Sequence, residues 1–386
     1  MKFAIITHVT HQLNNNQYYA YAPYVYEMNL WLKMVNQVKI VAPLSDDLPT
    51  DIDAVYQHSD IVFNPIPSFH FKDWKNSIKA IVVLPKIFYQ IYKVMKASDH
   101  IHLRCPGNVG LLGAFVQILF PNKPKTAKYA GNWDAKSKQP WTYRLQKWIL
   151  SNTFLTKNMQ VLVYGNWPHQ TKNIKPFFTA TYHENEIIKT LPRVLSEPLQ
   201  FIFVGTLTPN KRPLLCVEVI HQLKQKGYSI QLSLYGEGSE RSLLENYICD
   251  NHLQNEVILK GNVTKEMLKK AYQKSHFLLF FSKSEGWPKA VAEAMFWGCV
   301  PITTSVSCVP EMIGNGSRGT MVKADASAII SAIENYLSKP ESYKKHSQNA
   351  MEWSQQYTLE RFELEIEKLV SNFQYQSAVF VNGNKK

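Results

Sequence analysis

The sequence predicts an α/β protein with two domains, each built around a doubly wound parallel sheet. Its 386 residues are more than one ordinary hydrophobic core accommodates. Strand-length apolar runs alternate with helix-length segments through both halves, the order that produces parallel sheets covered by helices. Residues 191–198, with two prolines and few apolar positions, are typical of a linker. We predict domains over residues 1–192 and 193–356, followed by a closing helix and a loose tail over residues 357–386.

The second half shows the alternation most clearly. Its strand-like runs are residues 201–204, 230–235, 257–259, 277–281 and 300–303, and helical segments such as 214–224 and 265–274 separate them. This β-α-β-α-β-α-β-α-β order predicts a complete Rossmann-like domain. In the first half we expect strands at residues 3–7, 38–41, 54–55, 61–63 and 101–103, a helix near 27–34, and a polar, aromatic loop after the first strand.

The composition is that of a folded globular chain, with 45% hydrophobic and 19% charged residues. No apolar stretch reaches the roughly 18 residues of a membrane span. We expect no signal peptide, because the first residues lead directly into a strand. The five cysteines are scattered without metal-like spacing, so we expect reduced thiols and a cytoplasmic protein.

The net charge of +13 is concentrated in the first half. Residues 1–194 contain 22 Lys and Arg against 11 Asp and Glu, whereas residues 195–386 contain 21 against 19. Two basic stretches, residues 69–96 and 123–157, interleave their cations with aromatic side chains. They are typical of a surface that touches an anionic membrane leaflet, which would place the protein peripherally at the inner face of the membrane. Solvated helix faces and charge that serves solubility are the alternatives.

A strand–loop–helix segment, residues 280–295, contains the pattern richest in chemistry. Its strand ends at Ser282, a loop with Glu285 follows, and the helix that begins near Pro288 contains Glu293. Ligands of doubly wound folds bind beyond the carboxyl ends of the strands, where a helix N-terminus favours an anion such as a diphosphate. Carboxylates accept paired hydrogen bonds from the vicinal hydroxyls of a sugar. We therefore predict a nucleotide-sugar site, with solvent-exposed and lysine-paired glutamates as the alternative.

This segment resembles the E-x7-E signature of the retaining glycosyltransferase family 4, in which an aromatic residue also follows the glycine. The resemblance covers residues 201–320. The matching letters are SEGWP at 284–288, EAM at 293–295, FVGTLTPNK at 203–211, GEG at 236–238 and KGNV at 260–263. The resemblance implies the GT-B fold, with two Rossmann-like, doubly wound domains facing across a cleft and a C-terminal helix that returns to the first domain.

The resemblance also implies an activity. The protein would be a metal-independent hexosyltransferase that retains anomeric configuration. Its co-substrate would be a UDP- or GDP-linked nucleotide-sugar, with no other cofactor and no metal ion. The acceptor would be a glycan or a lipid-linked molecule. The setting that the resemblance suggests is bacterial surface polysaccharide biosynthesis, such as that of capsule, exopolysaccharide or lipopolysaccharide.

Individual residues acquire roles from the same resemblance. Glu293 would hold the ribose hydroxyls, whereas Glu285 and Lys211 are the catalytic candidates, contacting the donor sugar and neutralising the leaving diphosphate. The further donor-binding candidates are Gly205, Thr206, Arg212, Val263, Gly286, Trp287, Pro288 and Lys289. Thr206 departs from the family, which has an arginine there. Arg212, beside Lys211, is the candidate for the second positive charge.

The acceptor candidates lie in the first half of the chain. Four of them follow the first strand, where an acceptor would enter: His8, His11, Tyr18 and Tyr19. Polar aromatic side chains suit sugar binding, and a surface loop packed by tyrosines is the alternative. Relatives often have a histidine near the reacting sugar, but the corresponding residues 128–134 contain none. Asn132 and Asp134 are the candidate replacements.

Three competing interpretations apply to the chain. Asp51-Ile52-Asp53 has the letters of the D-x-D metal motif of GT-A enzymes, but no strong strand precedes it, so we expect a surface turn. A sugar-nucleotide epimerase of the same fold would show no dependence on an acceptor. A non-enzymatic polyanion-binding protein would bind nucleic acid without turnover. We expect no nucleic-acid partner, because the sequence contains no recognisable nucleic-acid motif.

Overall fold

The computed structural model describes residues 1–67, 74–188 and 194–383. The chain divides into two compact units. The first comprises Met1–Phe178 together with Phe362–Lys386, and the second comprises Thr179–Arg361. Within the described residues, no helix combines the length and the hydropathy that a membrane span requires.

The first unit ends at Phe178, whereas the sequence predicted a boundary at residue 192. The physical reason is the packing of Tyr182. Its ring centroid lies 4.8 Å from that of Phe296 and 5.1 Å from that of Trp297, so the segment after residue 178 belongs to the second unit. Of the predicted linker, residues 191–193 lie outside the described residues.

Seven strands of the first unit form a doubly wound parallel sheet in the order β6-β4-β1-β7-β8-β9-β10. The elements in chain order are β1 (Lys2–Ile6), β2 (His11–Asn14), β3 (Gln17–Tyr21), α1 (Ala22–Leu32), β4 (Gln37–Ser45), β5 (Asp53–Val55), β6 (Ile61–Ile66), α2 (Trp74–Lys96), β7 (His100–Cys105), α3 (Asn108–Val116), β8 (Lys125–Tyr129), α4 (Trp141–Ser151), β9 (Met159–Tyr164) and β10 (Ile174–Phe177). The predicted parallel sheet of this half is confirmed.

The segment after β1, predicted to be a loop, is a β-hairpin. Its strands β2 and β3 pair antiparallel, and Asn15 and Asn16 connect them with φ angles of +48° and +60°. Two successive left-handed residues form the tight turn that matches the twist of a hairpin. Asn tolerates this conformation better than most residues do. The hairpin extends the sheet beyond β4, and β5 pairs with β3.

Helices α2, α3 and α4 cover one face of the first sheet, and α1 covers the other. The interface of the three helices contains Ile87, Ile91, Val109, Ala114, Ile149 and Leu150 from the helices and Ala4, Ile6, Ile101 and Leu103 from the strands. Trp31 of α1 packs against Phe3 and His102, whose side chains point to the opposite side of the sheet. The two basic stretches contain α2 and α4, so they share one face of the sheet. Residues 69–73 of the first stretch lie outside the described residues.

The second unit contains a six-stranded parallel sheet in the order β13-β12-β11-β14-β15-β16. Its elements are β11 (Leu199–Val204), α5 (Pro213–Gln225), β12 (Ile230–Tyr235), α6 (Arg241–Asp250), β13 (Val257–Gly261), α7 (Lys265–Lys274), β14 (Phe277–Phe280), α8 (Lys289–Phe296), β15 (Val300–Thr303), α9 (Val309–Met312), β16 (Thr320–Met321), α10 (Ala326–Ser338) and α11 (Pro340–Ser354). This is the Rossmann strand order, with its switch point between β11 and β14. The predicted Rossmann-like domain is confirmed, although α10 and α11 were not predicted.

The last helix, α12 (Leu359–Gly383), begins in the second unit and continues in the first. Phe362 is buried, and together with Tyr164 and Phe177 it surrounds the Lys128 ammonium at 4.4–5.9 Å from the ring centroids. We call this group the Lys128 cage. The predicted return of the C-terminal helix to the first domain is confirmed. The helix continues past residue 374, where a loose tail was expected, and residues 384–386 lie outside the described residues.

Candidate functional site

The loops that follow β11 and β14 meet at the carboxyl edge of the second sheet. These strands are neighbours where the strand order reverses, and doubly wound sheets bind ligands in the crevice at that point. Asn210 joins the two loops. Its carbonyl oxygen accepts the Lys283 N–H at 2.8 Å, and its Nδ2 donates to the Ser284 carbonyl at 3.1 Å. Residues 205–212 and 282–288 therefore form one site.

Lys211 and Glu285, the two catalytic candidates, form an ion pair in this site. Their side chains retain only 21% and 10% of their full exposure. The Lys211 ammonium also lies 5.6 Å from the centroid of the Phe280 ring. Because the pair is largely shielded from water, salt screens it less than it screens an exposed pair. The structure thus brings a cation and a carboxylate together at the switch point.

Arg212 adds a second cation to the same edge of the sheet. It has a left-handed backbone, with φ of +53°, as the N-cap of α5. Its Nη1 donates to the carbonyl of Phe281 at 3.1 Å, and Phe281 directly follows β14. Thr206, where the resembling family has an arginine, is exposed and offers only a hydroxyl. Arg212 therefore places a cation at this edge of the sheet, whereas residue 206 places none.

Gly205 and Gly236 allow the loops after β11 and β12 to pass close to each other. The Gly205 N–H donates to the Tyr235 carbonyl at 3.0 Å. A Cβ atom on Gly236 would lie 2.1 Å from the Gly205 carbonyl oxygen, which excludes any side chain there. Gly205 itself has φ of +155°, a conformation that other residues rarely adopt. A Cβ on Gly205 would lie 3.8 Å from the Lys211 side chain, so Gly205 borders the ion pair.

The loop between Glu285 and α8 is anchored through Gly286. Its carbonyl oxygen accepts a hydrogen bond from Ser307 Oγ at 2.9 Å and a weaker one from Cys308 Sγ at 3.6 Å. Pro288 is the N-cap of α8, and Lys289 is the first helical residue. These contacts hold the loop that places Glu285 beside Lys211.

Glu293 lies in α8 and has surroundings quite different from those of Glu285. Its Oε1 accepts from Thr181 Oγ1 at 2.8 Å, and its Oε2 accepts from the Tyr272 hydroxyl at 3.2 Å. Burial raises the pKa of Glu293, although these two hydrogen bonds and Lys289 oppose the shift. The sequence predicted that both glutamates grip one donor. In the structure each glutamate has its own protein partners.

A hollow in the second unit adjoins Glu293. It is lined by Thr179, Ala180, Thr181, Tyr182, Trp287, Ala292, Glu293, Phe296, Ser354 and Tyr357. The Trp287 ring contacts the Tyr357 ring edge-on, with centroids 6.2 Å apart. The hollow therefore combines aromatic walls with a carboxylate. Lys211 and Glu285 are not part of its lining.

Val263 occupies the short loop between β13 and α7 and is half-buried. The next residue, Thr264, caps α7 by accepting the Met267 N–H at 3.3 Å. The preceding Gly261 accepts the Gly236 N–H at 2.9 Å through its carbonyl. Val263 therefore lies at the same carboxyl edge of the sheet as the other donor-binding candidates.

His11, one of the acceptor candidates, is a buried core residue. Its Nδ1 is 2.8 Å from the Val9 carbonyl, and its Nε2 is 2.9 Å from the Tyr56 hydroxyl. Burial lowers the pKa of His11 to about 4. A side chain that is fully enclosed and hydrogen-bonded at both nitrogens is unsuited to contact an acceptor, so the placement of His11 on the acceptor side was wrong.

The other candidates after β1 lie on or beside the hairpin. His8 is exposed, and its ring lies against the backbone of Gly107, where an added Cβ would approach Nδ1 to 2.8 Å. Tyr18 stacks on Phe63 with ring centroids 4.7 Å apart. The Tyr19 hydroxyl donates to Gln17 Oε1 at 3.3 Å. Of these residues, His8 lies at the switch point of the first sheet, between β1 and β7.

Asn132 and Asp134 stabilise their own loop in the structure. Asn132 Oδ1 accepts the Asp134 N–H at 2.9 Å, and Asp134 Oδ1 accepts the Lys136 N–H at 2.8 Å. Such local bonds from side chain to backbone are typical of turns. The D-x-D candidate behaves similarly, since Asp53 Oδ2 accepts both the N–H and the hydroxyl of Thr50 at 2.9 and 2.8 Å.

Sequence reasoning missed an ion pair at the switch point of the first sheet. Arg104 is the penultimate residue of the buried strand β7, and its Nη1 lies 2.5 Å from Glu27 Oε1 of α1. The two side chains are 10% and 5% exposed. A charged residue within the apolar run of residues 101–105 was the available signal, because a buried charge requires a partner. The partner itself, 77 positions away, could not be read from spacing.

The sequence of the second unit is similar to those of known glycosyltransferases. Residues 186–353 match the family model described as Glycosyl transferases group 1. The amylovoran biosynthesis glycosyltransferase AmsK from Erwinia amylovora is 28% identical over 154 residues, which are 38% of this chain and 38% of that protein. The chain spans less than half the length of the curated relatives it matches. The matches support a glycosyltransferase domain in the second unit.

Two solved structures share the fold over nearly the whole chain. Sucrose-phosphate synthase from Thermosynechococcus elongatus has a TM-score of 0.66 at 18% identity and covers 97% of this chain and 100% of that chain. HepE from Anabaena, in complex with UDP, has a TM-score of 0.64 at 12% identity and covers 96% and 100%. Likeness at such identities concerns the fold alone. The protein therefore has the GT-B fold, and its residues 186–353 match the glycosyl transferases of group 1.

Proposed function

We propose that the protein is a retaining glycosyltransferase that moves a hexose-type sugar from a nucleotide-sugar donor to a glycan or lipid-linked acceptor. The observation that carries the proposal is the Lys211–Glu285 ion pair at the switch point of the second sheet. A donor needs positive charge for its diphosphate and acceptor atoms for its sugar hydroxyls, and this pair offers both. The match of residues 186–353 to the group 1 glycosyl transferases supports the same chemistry.

Charge stabilisation is the main task of the site in the proposed reaction. Negative charge develops on the diphosphate as its bond to the sugar breaks. Lys211 and Arg212 extend to the edge where that diphosphate would lie, and the N-terminus of α8 adds a partial positive charge. Fixed positive groups at a developing charge usually make the largest contribution to catalysis.

Glu285 has two successive partners in this proposal. Without donor, its carboxylate holds the Lys211 ammonium in position. When the diphosphate takes over the ammonium, Glu285 is released to accept hydrogen bonds from the sugar hydroxyls. The unliganded pair therefore keeps both groups in the places that the donor requires, with little reorganisation on binding.

Glu293 is proposed to bind the ribose, with Trp287 as part of the adjoining wall. Its two oxygens accept two hydrogen bonds from protein groups, whereas an ionised carboxylate can accept about four. The remaining capacity would serve the ribose hydroxyls from the hollow. The UDP bound to HepE, a protein of the same fold, favours a uridine donor over a guanosine donor for the first trials.

Retention follows if the acceptor attacks on the face from which the diphosphate leaves. The bond from the anomeric carbon to the phosphate oxygen breaks, and the bond to the acceptor oxygen forms. The leaving phosphate takes the proton of the acceptor hydroxyl, so this mechanism uses no side-chain base. We place the reaction in surface polysaccharide biosynthesis because AmsK is named for the biosynthesis of amylovoran.

Two measurements test the proposed function. A panel of UDP- and GDP-sugars should include one that raises the melting temperature, because a ligand of the folded state stabilises it. With that donor, Lys211→Ala should lower turnover by about 10²-fold or more. The matched control is Lys274→Ala, an exposed lysine at the end of α7 that precedes β14 and so lies at the opposite edge of the sheet. Equal turnover in the two variants would exclude the proposed site.

A further inference from the structure

The outer side of α2, α3 and α4 presents an unusual concentration of exposed aromatic side chains. Trp141 and Trp148 of α4 are 66% and 59% exposed, and Phe154, just beyond the helix, is 75% exposed. Positions seven apart lie on the same side of a helix, so the two indoles project together. Tyr89, Phe115 and Leu119 add to this side at 64%, 39% and 56% exposure. Proteins rarely expose neighbouring large apolar residues unless the surface binds something.

Cations accompany these aromatic side chains on the same side. The exposed ones are Lys86, Lys93 and Lys96 on α2, Arg144 on α4 and Lys157 beyond it. None of the five forms a salt bridge with an acid among the residues that the structure describes. Arg144 lies between the two tryptophans in the helical spacing, and the Lys157 ammonium is 5.1 Å from the centroid of the Phe154 ring.

The arrangement follows from the topology of the sheet. Core residues of α2, α3 and α4 all pack on one face, so the opposite sides of these helices form one continuous outer layer. Lys86, Tyr89, Lys93 and Lys96 recur at the helical period on α2, as Trp141, Arg144 and Trp148 do on α4. Two stretches that are distant in sequence therefore contribute to one surface. We call it the aromatic–basic face.

We propose that the aromatic–basic face binds the surface of an anionic phospholipid bilayer. Tryptophan rings favour the level of the lipid headgroups, where one end is apolar and the other is hydrated. Each Lys or Arg near an anionic leaflet strengthens binding about fivefold. A soluble polyanion would use the cations and leave the protruding indoles and Phe154 in water, so it does not fit the aromatic half of the face. The proposal goes beyond the proposed activity and does not depend on it.

The test is co-sedimentation of the full chain with vesicles. One set contains phosphatidylglycerol with phosphatidylcholine, and the other contains phosphatidylcholine alone. We expect binding to the first set and little to the second. The variant Trp141→Ser with Trp148→Ser and Phe154→Ser should bind the anionic vesicles about tenfold or more weakly. Arg144→Gln with Lys157→Gln should weaken binding about 25-fold at low salt.

Matched controls lie elsewhere on the molecule. Tyr26, 63% exposed on α1, covers the opposite face of the same sheet, so Tyr26→Ser should leave vesicle binding unchanged. Lys323→Gln with Lys345→Gln removes two exposed charges from the second unit and should also have little effect. Equal binding by the aromatic variant and by Tyr26→Ser would overturn the proposal. Equal binding to both vesicle sets, or binding to soluble heparin that vesicles cannot displace, would overturn it as well.

Discussion

The ammonium of Lys211 and the carboxylate of Glu285, 74 positions apart in the chain, form an ion pair at the point where β11 and β14 end. Neither side chain is more than about one-fifth exposed, so each depends on the other for compensation of its charge. Any anion that binds Lys211 must compete with Glu285. This competition makes the pair open to a direct test.

The substitution Glu285→Gln should strengthen the binding of UDP and lower the rate of turnover. Without the carboxylate, Lys211 is no longer neutralised, so we expect UDP to bind about tenfold more tightly, which corresponds to about 1.4 kcal/mol. Turnover should fall, because Gln lacks the charge that positions the ammonium and accepts the sugar hydroxyls. Calorimetric titration with UDP and steady-state kinetics measure the two effects. An unchanged UDP affinity would show that Glu285 does not compete for Lys211.

Glu293→Gln should stabilise the protein without ligand at neutral pH. Burial raises the pKa of Glu293, and the contribution of a raised carboxyl pKa is present at low pH and lost as the pH rises through the folded-state value. Above that value the ionised group is destabilising, so its removal should raise the free energy of unfolding at neutral pH. The gain should shrink as the pH falls and Glu293 protonates.

The same variant should weaken donor binding, because a neutral amide grips ribose hydroxyls less well than a carboxylate does. Melting curves with and without the donor measure both effects. Glu266→Gln, an exposed change on α7, is the control. If donor affinity in the Glu293 variant equals that of the control, Glu293 does not bind the ribose.

The proposed role of Arg212 can be tested by moving its positive charge from residue 212 to residue 206. Arg212→Asn removes the guanidinium while keeping a residue that tolerates the left-handed backbone at φ +53°. We expect turnover to fall about tenfold or more. Adding Thr206→Arg to this variant places a cation where the family that the sequence resembles has an arginine, and it should recover part of the activity. Absence of recovery, with normal folding, would mean that residue 206 does not face the diphosphate.

The lowered pKa of His11 predicts that the first unit loses stability at acidic pH. Its pKa of about 4 is below the ordinary value, so the stability it contributes is present above about pH 6.5 and is lost as the pH falls toward 4. At about pH 5 the loss from this one residue should be about 2 kcal/mol. Burial also lowers the pKa of His100, to about 3, so His11 is one of several contributors.

The contribution of His11 is the difference between wild type and His11→Gln. Urea unfolding at about pH 7.5 and about pH 5 gives the stability loss of each protein. The variant should be less stable at the higher pH and should lose less on acidification. If both proteins lost the same stability on acidification, groups other than His11 would be responsible for the loss.

The sheet of the second unit could be predicted because its signals are local. The strand at residues 230–235 alternates in polarity and was placed correctly at both ends, as was the helix at 265–274. The Gly and Pro residues around Glu285 also act locally, and they indicated the strand–loop–helix segment that we propose binds the donor. The return of α12 to the first unit was not a local signal and came only from the family resemblance.

Long-range partners could not be predicted from the sequence. Glu293 is hydrogen-bonded to Thr181, 112 positions away, so nothing near Glu293 indicated that its carboxylate has protein partners. The burial of His11 depends on Tyr56, which packs over it from another part of the chain. The hairpin after β1 had a local signal, the Asn15–Asn16 pair, but the polar, aromatic letters around it are also typical of loops.

The Lys128 cage includes a residue from the C-terminal helix, so the first unit cannot complete its core until that helix has been synthesised. Phe362 forms one side of the cage, so the core of the first unit remains open on the ribosome until residue 362 has emerged. The second unit, Thr179–Arg361, is complete in the nascent chain before that moment. The first unit therefore depends on a segment that is translated after the whole of the second unit.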